Sequence, residues 1–545
     1  MFEHFRAKFK KIPKHIWILL AIMLAGIFLR AYHFHDWLLF GPDQARDATI
    51  ISDAIEGKSG PILLGAQAGN TQFYLGPIYY QLGYLSALIF GGSPDKLAYP
   101  DLLFSILTIP ALFFLLKKYF SSGISLSLSA LFSIAYFSIY TARFAVNSNL
   151  LSFFIIIFLY GLLEMMEEKN KQRYIWAIIV GISLGIGIQL HALSFLAMPV
   201  VAVAACIYLI KNKNLAWKNF LLVISFFLLM NFGQLIYEVR AGGSNFKHFL
   251  KGASSESAGL NENLAENVFL TTLCQARSSI NQIFSLSDTK YCARGLNLEK
   301  KIINYQKISS LWFIVKILAG ILFALGGYWL WFSNFFDKKL ELHKKRFLAL
   351  LMFFNLVFLG LFVSVVSQAE VHYFNFIFFV SFVFLGLWIN LINNTNWKAE
   401  IKKIIFVLLA VALLCFNFYS LGRDAREYAS GQASNSEISI LGEIIPAANY
   451  ILENSRGSNK VYLDGDRASL HRFSGALGYL MSESGVKIAR LNEKSKNEID
   501  SNVPLFYVKL IDNDSRENAG IDAIGGKKVG NYKIFGNIII YSLWE

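Results

Sequence analysis

Charge is what this chain has least of: only 16% of its 545 residues are Asp, Glu, Lys or Arg, where a soluble domain carries about 25%. Hydrophobic residues make up 55%, and the mean hydropathy is +0.45. That balance excludes the three or four soluble domains that length alone would suggest. Cysteine is scarce too, with 4 in all. Cys206 and Cys415 fall inside apolar runs and read as packing residues. Cys274 and Cys292 share one polar segment and can pair if it faces an oxidising compartment. Residues 421–545 show no glycine pattern for binding a nucleotide, and the chain shows no internal repeat of the transporter kind.

What is there is apolar length. Runs that reach the ~20 residues of a bilayer crossing lie near 15–35, 97–116, 123–141, 149–166, 174–192, 194–210, 219–238, 309–332, 347–367, 371–392 and 403–420. Residues 74–91 form a shorter aromatic run, read as a re-entrant or interfacial helix or as a further span. The pattern is that of a polytopic α-helical membrane protein. Lys8, Lys10, Lys11 and Lys14 precede a first run too long for a cleaved signal, so that helix is expected to stay as an anchor.

The net charge of +14 is unevenly placed. Residues 421–545 hold 15 Lys/Arg against 16 Asp/Glu, leaving 36 against 21 for residues 1–420. The basic excess belongs to the apolar part, where topology accounts for it, and no nucleic-acid partner is expected. With the N-terminus cytoplasmic and 74–91 non-crossing, one side carries 21 Lys/Arg to 7 acids and the other 15 to 14. This positive-inside bias predicts a multi-pass protein of the cytoplasmic membrane with an extracytoplasmic C-terminal domain.

Three segments outside the spans stand out. Residues 36–96 form the first outer loop, and 239–308 form a long polar loop able to cap a site. After the membrane module of residues 1–420, residues 421–545 read as a small α/β domain. Its elements are an amphipathic helix from Ile438 to Leu452, strands at Val461–Leu463, Val486–Leu491 and Pro504–Leu510, and the alternating stretch Tyr532–Leu543.

The polar residues of the membrane module collect at the outer ends of the spans, and ionisable groups near membrane depth usually line a cavity or path. The densest group is Gly41-Pro42-Asp43-Gln44-Ala45-Arg46-Asp47-Ala48. Asp43 and Asp47 share one helix face with Arg46 beside them. A carboxylate there can act as general base toward a sugar hydroxyl, and the arginine can pair with a leaving phosphate. The other reading is an interfacial helix start, with Asp43 as cap and Asp47 paired to Arg46. Arg143 either neutralises a lipid phosphate or snorkels. His191 either joins a site or is a buried, hydrogen-bonded ring, and Tyr79 and Tyr80 either stack on substrate or belong to an aromatic belt. Glu370 and His372, next to Tyr373, lack a third ligand for zinc. Gly181-x-x-x-Gly185 reads as a helix-packing face.

Taken together these segments resemble a known family. Leu29-Arg30-Ala31-Tyr32 followed by Gly41 to Ala48, then Gly76-Pro77-Ile78-Tyr79-Tyr80, Tyr140 to Asn149 and Val371-His372-Tyr373, look like the polyprenyl-phosphate-sugar-dependent glycosyltransferases. This is the bacterial protein-mannosyltransferase-like group of the GT-C fold (glycosyltransferase family 39-like), which includes the aminoarabinose transferase of lipid A. The resemblance covers most of residues 15–395 and implies about 11–13 transmembrane helices with a small extracytoplasmic α/β domain. It implies a polyprenyl-phosphate sugar as donor and a glycan, lipid or protein acceptor at the outer face. Asp43 maps onto the family's base. Arg46 and Arg143 are the candidates for holding the donor phosphate, with Tyr373 and His372 in the donor pocket. Gln44, Asp47, Tyr79, Tyr80, His191 and Glu370 are the further cavity candidates. No resident cofactor is expected, and a divalent ion is left open. The chain departs from the pattern where Gln44 replaces the second acid of many members, and where Leu75-Gly76-Pro77 replaces the Lys-Pro-Pro of the aminoarabinose enzymes. It also lacks the β-trefoil insert of the eukaryotic mannosyltransferases. The expected activity is an inverting sugar transfer. A lipid or polysaccharide transporter without chemistry and an inactive lipid-binding relative are the alternatives.

Overall fold

The computed structural model describes residues 13–69, 71–168, 170–212, 216–258, 264–285, 311–365, 371–430, 439–491, 500, 502–511, 523–524 and 527–544. In chain order come α1 (Lys14–Ala31), α2 (Pro42–Ile55), α3 (Ile78–Phe90), the short α4 (Pro94–Leu97), α5 (Tyr99–Lys117), α6 (Ser122–Ile134), α7 (Tyr136–Ala142), α8 (Asn147–Met166) and α9 (Arg173–Leu190). Then follow α10 (Ala192–Lys211), α11 (Trp217–Met230), α12 (Phe232–Arg240), α13 (Ser244–Ala258), α14 (Leu264–Phe284), α15 (Leu311–Phe336) and α16 (Leu342–Val365). A 3-10 segment (Val371–Ile377) leads into α17 (Phe378–Asn394), and α18 (Ala399–Ala429) closes the bundle. Among the described residues 9 helices are long and apolar enough to span, or 11 if α6–α7 and α11–α12 each count as one bent crossing. All the expected apolar runs become such helices. The shorter run becomes α3, whose 13 residues fall short of a bilayer.

The two bends are built by polar side chains. A broken helix leaves carbonyls that lipid cannot satisfy. At the 54° break between α6 and α7, the wholly buried Arg30 of α1 donates to the carbonyls of Phe132 (3.2 Å) and Ser133 (2.7 Å). It also reaches Ser138 Oγ at 2.8 Å and Ser105 Oγ at 2.9 Å. At the 66° break between α11 and α12, Asn231 Nδ2 donates to the carbonyls of Phe227 and Gly185, and Gln189 Nε2 to that of Met230. A Cβ on Gly181 or Gly185 would lie 2.6 Å from the Val223 carbonyl or 2.8 Å from Met230 Cβ. These glycines are therefore the packing face between α9 and α11.

Residues 239–308 depart from the expected loop. Where described, they form α13 and α14. Asn245 on α13 exchanges two hydrogen bonds with the Tyr74 backbone, so this helix does lie on the first loop. α14 instead packs inside the bundle. Gln275 donates to Asn355 Oδ1 (3.0 Å) and accepts from Tyr328 (2.7 Å), while Gln282 accepts from Ser381 (2.6 Å). Its polar stripe meets polar groups of α15, α16 and α17, which is why its modest hydropathy looked like a solvated loop. Cys274 lies buried on this helix, and its pairing with Cys292 falls outside the described residues.

α18 runs as one helix past residue 420 to Ala429, and the α/β domain begins at α19 (Leu441–Glu453). β1 (Lys460–Gly465), α20 (Arg467–Ser482), β2 (Lys487–Arg490), β3 (Leu505–Leu510), β4 (Ala523–Ile524), β5 (Lys527–Phe535) and β6 (Ile538–Trp544) follow. The sheet order is β2-β1-β3-β6-β5-β4, with β2, β1 and β3 parallel and the rest antiparallel. The stretch Tyr532–Leu543, expected as one strand, is split by a turn at Gly536 (φ 59°) into the β5–β6 hairpin. α20 lies in a region to which the sequence assigned no element.

Candidate active site

The site is built where the first loop, α3, α5 and the C-terminal domain meet at one end of the bundle. Gly41 caps α2 and Pro42 opens it. The Gly41 N–H donates to Gln44 Oε1 (3.0 Å), and Gln44 Nε2 donates to the Ala145 carbonyl (3.0 Å). Gln44 thus ties the start of α2 to the segment after α7. On the exposed side of α2, Asp43 accepts from Arg46 Nη1 at 2.7 Å. Arg46 also bonds Asp47 through Nη2 at 2.7 Å, and the buried Asp47 accepts from Tyr80 OH at 2.8 Å. Asp43, Arg46, Asp47 and Tyr80 therefore form one hydrogen-bonded row from the surface to the core. The Asp43 side chain is 66% exposed and that of Asp47 is 7% exposed. Burial pushes the Asp47 carboxyl up to about 6, opposed by the Arg46 charge and the Tyr80 hydroxyl.

Tyr79 turns the other way and bonds Asp101 Oδ2 at 3.3 Å. Asp101 was not among the residues the sequence singled out. Its signal was a carboxylate one turn inside an apolar run, after Pro100. α3 itself is seated by Gln189 at the end of α9, whose Oε1 accepts from the Ile78 N–H (3.2 Å). A Cβ on Gly76 would lie 2.2 Å from Gln189 Cγ, so only glycine permits this approach.

Other predicted residues lie elsewhere. His191 caps α10 by accepting from the Leu193 N–H and packs on Tyr373 with ring centroids 5.2 Å apart. His191 and Tyr373 make a second cluster. Arg143 lies over Trp37 and bonds the carbonyls of Leu29 and Tyr32, facing away from α2. Glu370 and the side chain of His372 lie outside the described residues. Among the described residues no group of three or more His, Cys, Asp or Glu is placed to hold a metal ion.

The C-terminal domain backs this site. The Phe40 N–H donates to the Ser439 carbonyl, and the Leu441 and Gly442 N–H groups donate to those of Leu38 and Asp36. Phe34, Leu38, Phe40, Ala45 and Ala48 share one apolar core with the domain's Leu477 and Phe473. The helix that carries Asp43 thus has the bundle on one side and α20 on another.

Residues 76–237 match the family model of dolichyl-phosphate-mannose-protein mannosyltransferases. The match covers under a third of the chain, including Tyr79 and Tyr80 but not α2. No curated protein matches the sequence. Among solved structures, the chain is similar to apo ArnT from Cupriavidus metallidurans (TM-score 0.53, 11% identity, 97% of each chain covered). It is similar to the same protein bound to undecaprenyl phosphate (TM-score 0.52, 11% identity, 97% of each chain). A third likeness is to the archaeal oligosaccharyltransferase AglB from Archaeoglobus fulgidus, in complex with an inhibitory peptide and a dolichol-phosphate (TM-score 0.52, 12% identity). That likeness covers 87% of this chain and 64% of the archaeal one, so the chain spans less than two thirds of its length. The chain is a multi-pass membrane protein with the GT-C glycosyltransferase fold, similar to the protein-mannosyltransferase and ArnT-like enzymes.

Proposed function

We propose that this protein transfers a sugar from a polyprenyl phosphate to an acceptor hydroxyl at the outer face of the cytoplasmic membrane, with inversion at the anomeric carbon. The observation that carries the reading is the row from Asp43 through Arg46 to Asp47 and Tyr80. An exposed carboxylate stands beside a guanidinium that buried groups hold in place. Asp43 takes the proton of the acceptor hydroxyl, whose oxygen attacks the anomeric carbon as the bond to the phosphate oxygen breaks. Polyprenyl phosphate leaves with both electrons of that bond, and Arg46, at the positive N-terminal end of α2, stabilises its charge. Support for the donor class comes from the undecaprenyl phosphate and dolichol-phosphate held by the two similar structures. The basic bias of one set of loops supports the orientation.

The test is transfer from a panel of radiolabelled polyprenyl-phosphate sugars in nanodiscs, with membrane extract as acceptor source. Wild type is expected to form labelled product, and Asp43→Asn to lose about 10²–10⁴-fold in rate. Full turnover by folded Asp43→Asn overturns the assignment of the base.

A further inference from the structure

The segment joining α1 to α2 separates two cavities. It is extended at Leu39, which bridges to Phe144 and to Ile440, so alternate side chains point to opposite faces. Leu38 and Phe40 line a cavity of about 30 Å3 beside Asp47 and Tyr79. Trp37 and Leu39 line one of about 290 Å3 on the reverse face, bounded by the end of α1, by α7 and by α18.

The larger cavity has one charged group with unspent capacity. Arg143 is 9% exposed. Its Nη2 is taken by the carbonyls of Leu29 (2.9 Å) and Tyr32 (2.7 Å), but its buried Nε–H has no acceptor. Such a donor is costly to leave unmet. Asp424, across the cavity, is engaged by Tyr136 OH at 2.6 Å and by Arg423. The remaining lining is mainly aromatic and aliphatic. It runs out to the surface of the bundle at Phe28 (63% exposed) and Phe418 (48% exposed). α18, which forms that wall, is the least buried of the nine single-helix candidate spans among the described residues.

A cleft with apolar walls open to the bilayer, and a buried cationic donor at its inner end, suits an amphiphile with a negative head group. We propose that it binds a glycerophospholipid of the surrounding bilayer. A phosphodiester oxygen accepts the Arg143 Nε–H, and an acyl chain lies along Phe28 and Phe418. The volume sits at the low end of the roughly 300–1,000 Å3 of ligand pockets, enough for a head group and the start of a chain. The occupant proposed is not the sugar donor, because the main chain of residues 37–40 lies between this cavity and the one beside Asp47 and Tyr79. A lipid held here buttresses the strand that leads into α2.

The experiment is native mass spectrometry of the full chain, purified in detergent and titrated with phosphatidylglycerol, dioleoylglycerol or undecaprenyl phosphate. Wild type is expected to retain one phosphatidylglycerol, and Arg143→Gln to bind it at least tenfold more weakly. Arg143 also holds two carbonyls, so a second variant fills the cavity without touching it. A Cβ on Gly422 meets nothing within 4 Å, so Gly422→Phe should melt like wild type yet lose at least tenfold in affinity, while Asp43→Asn binds as wild type does. Wild-type retention by both cavity variants, no retained phospholipid, or equal binding of dioleoylglycerol overturns the proposal. Competition by equimolar undecaprenyl phosphate also overturns it, and assigns the cavity to the donor.

Discussion

Asp47 ties the charge of the site to pH. Its carboxyl is raised by burial to about 6 from an ordinary value of 3.8, so the fold favours its protonated form. That contribution is full below about pH 4 and is lost as pH rises through about 6, a difference of about 3 kcal/mol for the cited shift. Wild type is therefore expected to lose melting temperature from about pH 4 to about pH 6 through this group, and Asp47→Asn to flatten that stretch. Catalysis should run the other way, because ionised Asp47 is what holds Arg46. Transfer is predicted to rise through about pH 6. Tyr80→Phe removes a hydrogen bond that lowers the Asp47 value, so it should move this limb to higher pH. A limb unmoved by either substitution would show that Asp47 titrates elsewhere or plays no part.

At the scale of elements, the bends depend on side chains from other helices. Arg30→Leu takes the donor from the Ser133 carbonyl and leaves that of Phe132 to Ser138 Oγ alone at the α6–α7 break, and is expected to cost roughly 2–5 kcal/mol. Unfolding in mixed micelles reads this directly, and a loss below about 0.5 kcal/mol would mean that the bend finds other donors. Arg30→Lys should recover only part, since an ammonium cannot reproduce the spread of a guanidinium fork. α14 makes the complementary point. Its Gln275 bonds Asn355 and Tyr328, and its Gln282 bonds Ser381 and the Phe374 carbonyl, groups that are distant in the chain and silent in any local window.

For the whole molecule, the C-terminal domain positions α2. A Cβ at Gly475 would lie 3.6 Å from Pro42 Cα and 3.9 Å from Ala45 Cβ, so alanine fits and a large side chain does not. Gly475→Phe should push α20 off α2 and lower transfer by about tenfold or more, as a misplaced reacting group does. Helix content should be unchanged. Gly478, where a Cβ meets nothing within 4 Å, is the control, and Gly478→Phe should be near wild type. Equal activity of the two variants would show that α2 keeps its place without the domain. The proposed orientation is checked by fusing alkaline phosphatase after Glu545, which should be active if the domain is extracytoplasmic.

Local pattern was enough for the spans, because a run of apolar side chains has one stable home, and for the cluster Asp43 to Asp47, because polar groups beside such runs stand out by contrast. It also indicated the helix-packing glycines at 181 and 185 and most strands of the α/β domain. Tertiary structure alone decided how those residues are shared. It joined Asp47 to Tyr80, turned Tyr79 toward the unpredicted Asp101, and set Arg143 on the far side of residues 37–40. It also buried α14 and brought α20 against α2. The reason is physical: hydropathy reports what a segment prefers as its solvent, whereas a buried polar side chain is decided by the partner that reaches it, and that partner lies elsewhere in the chain.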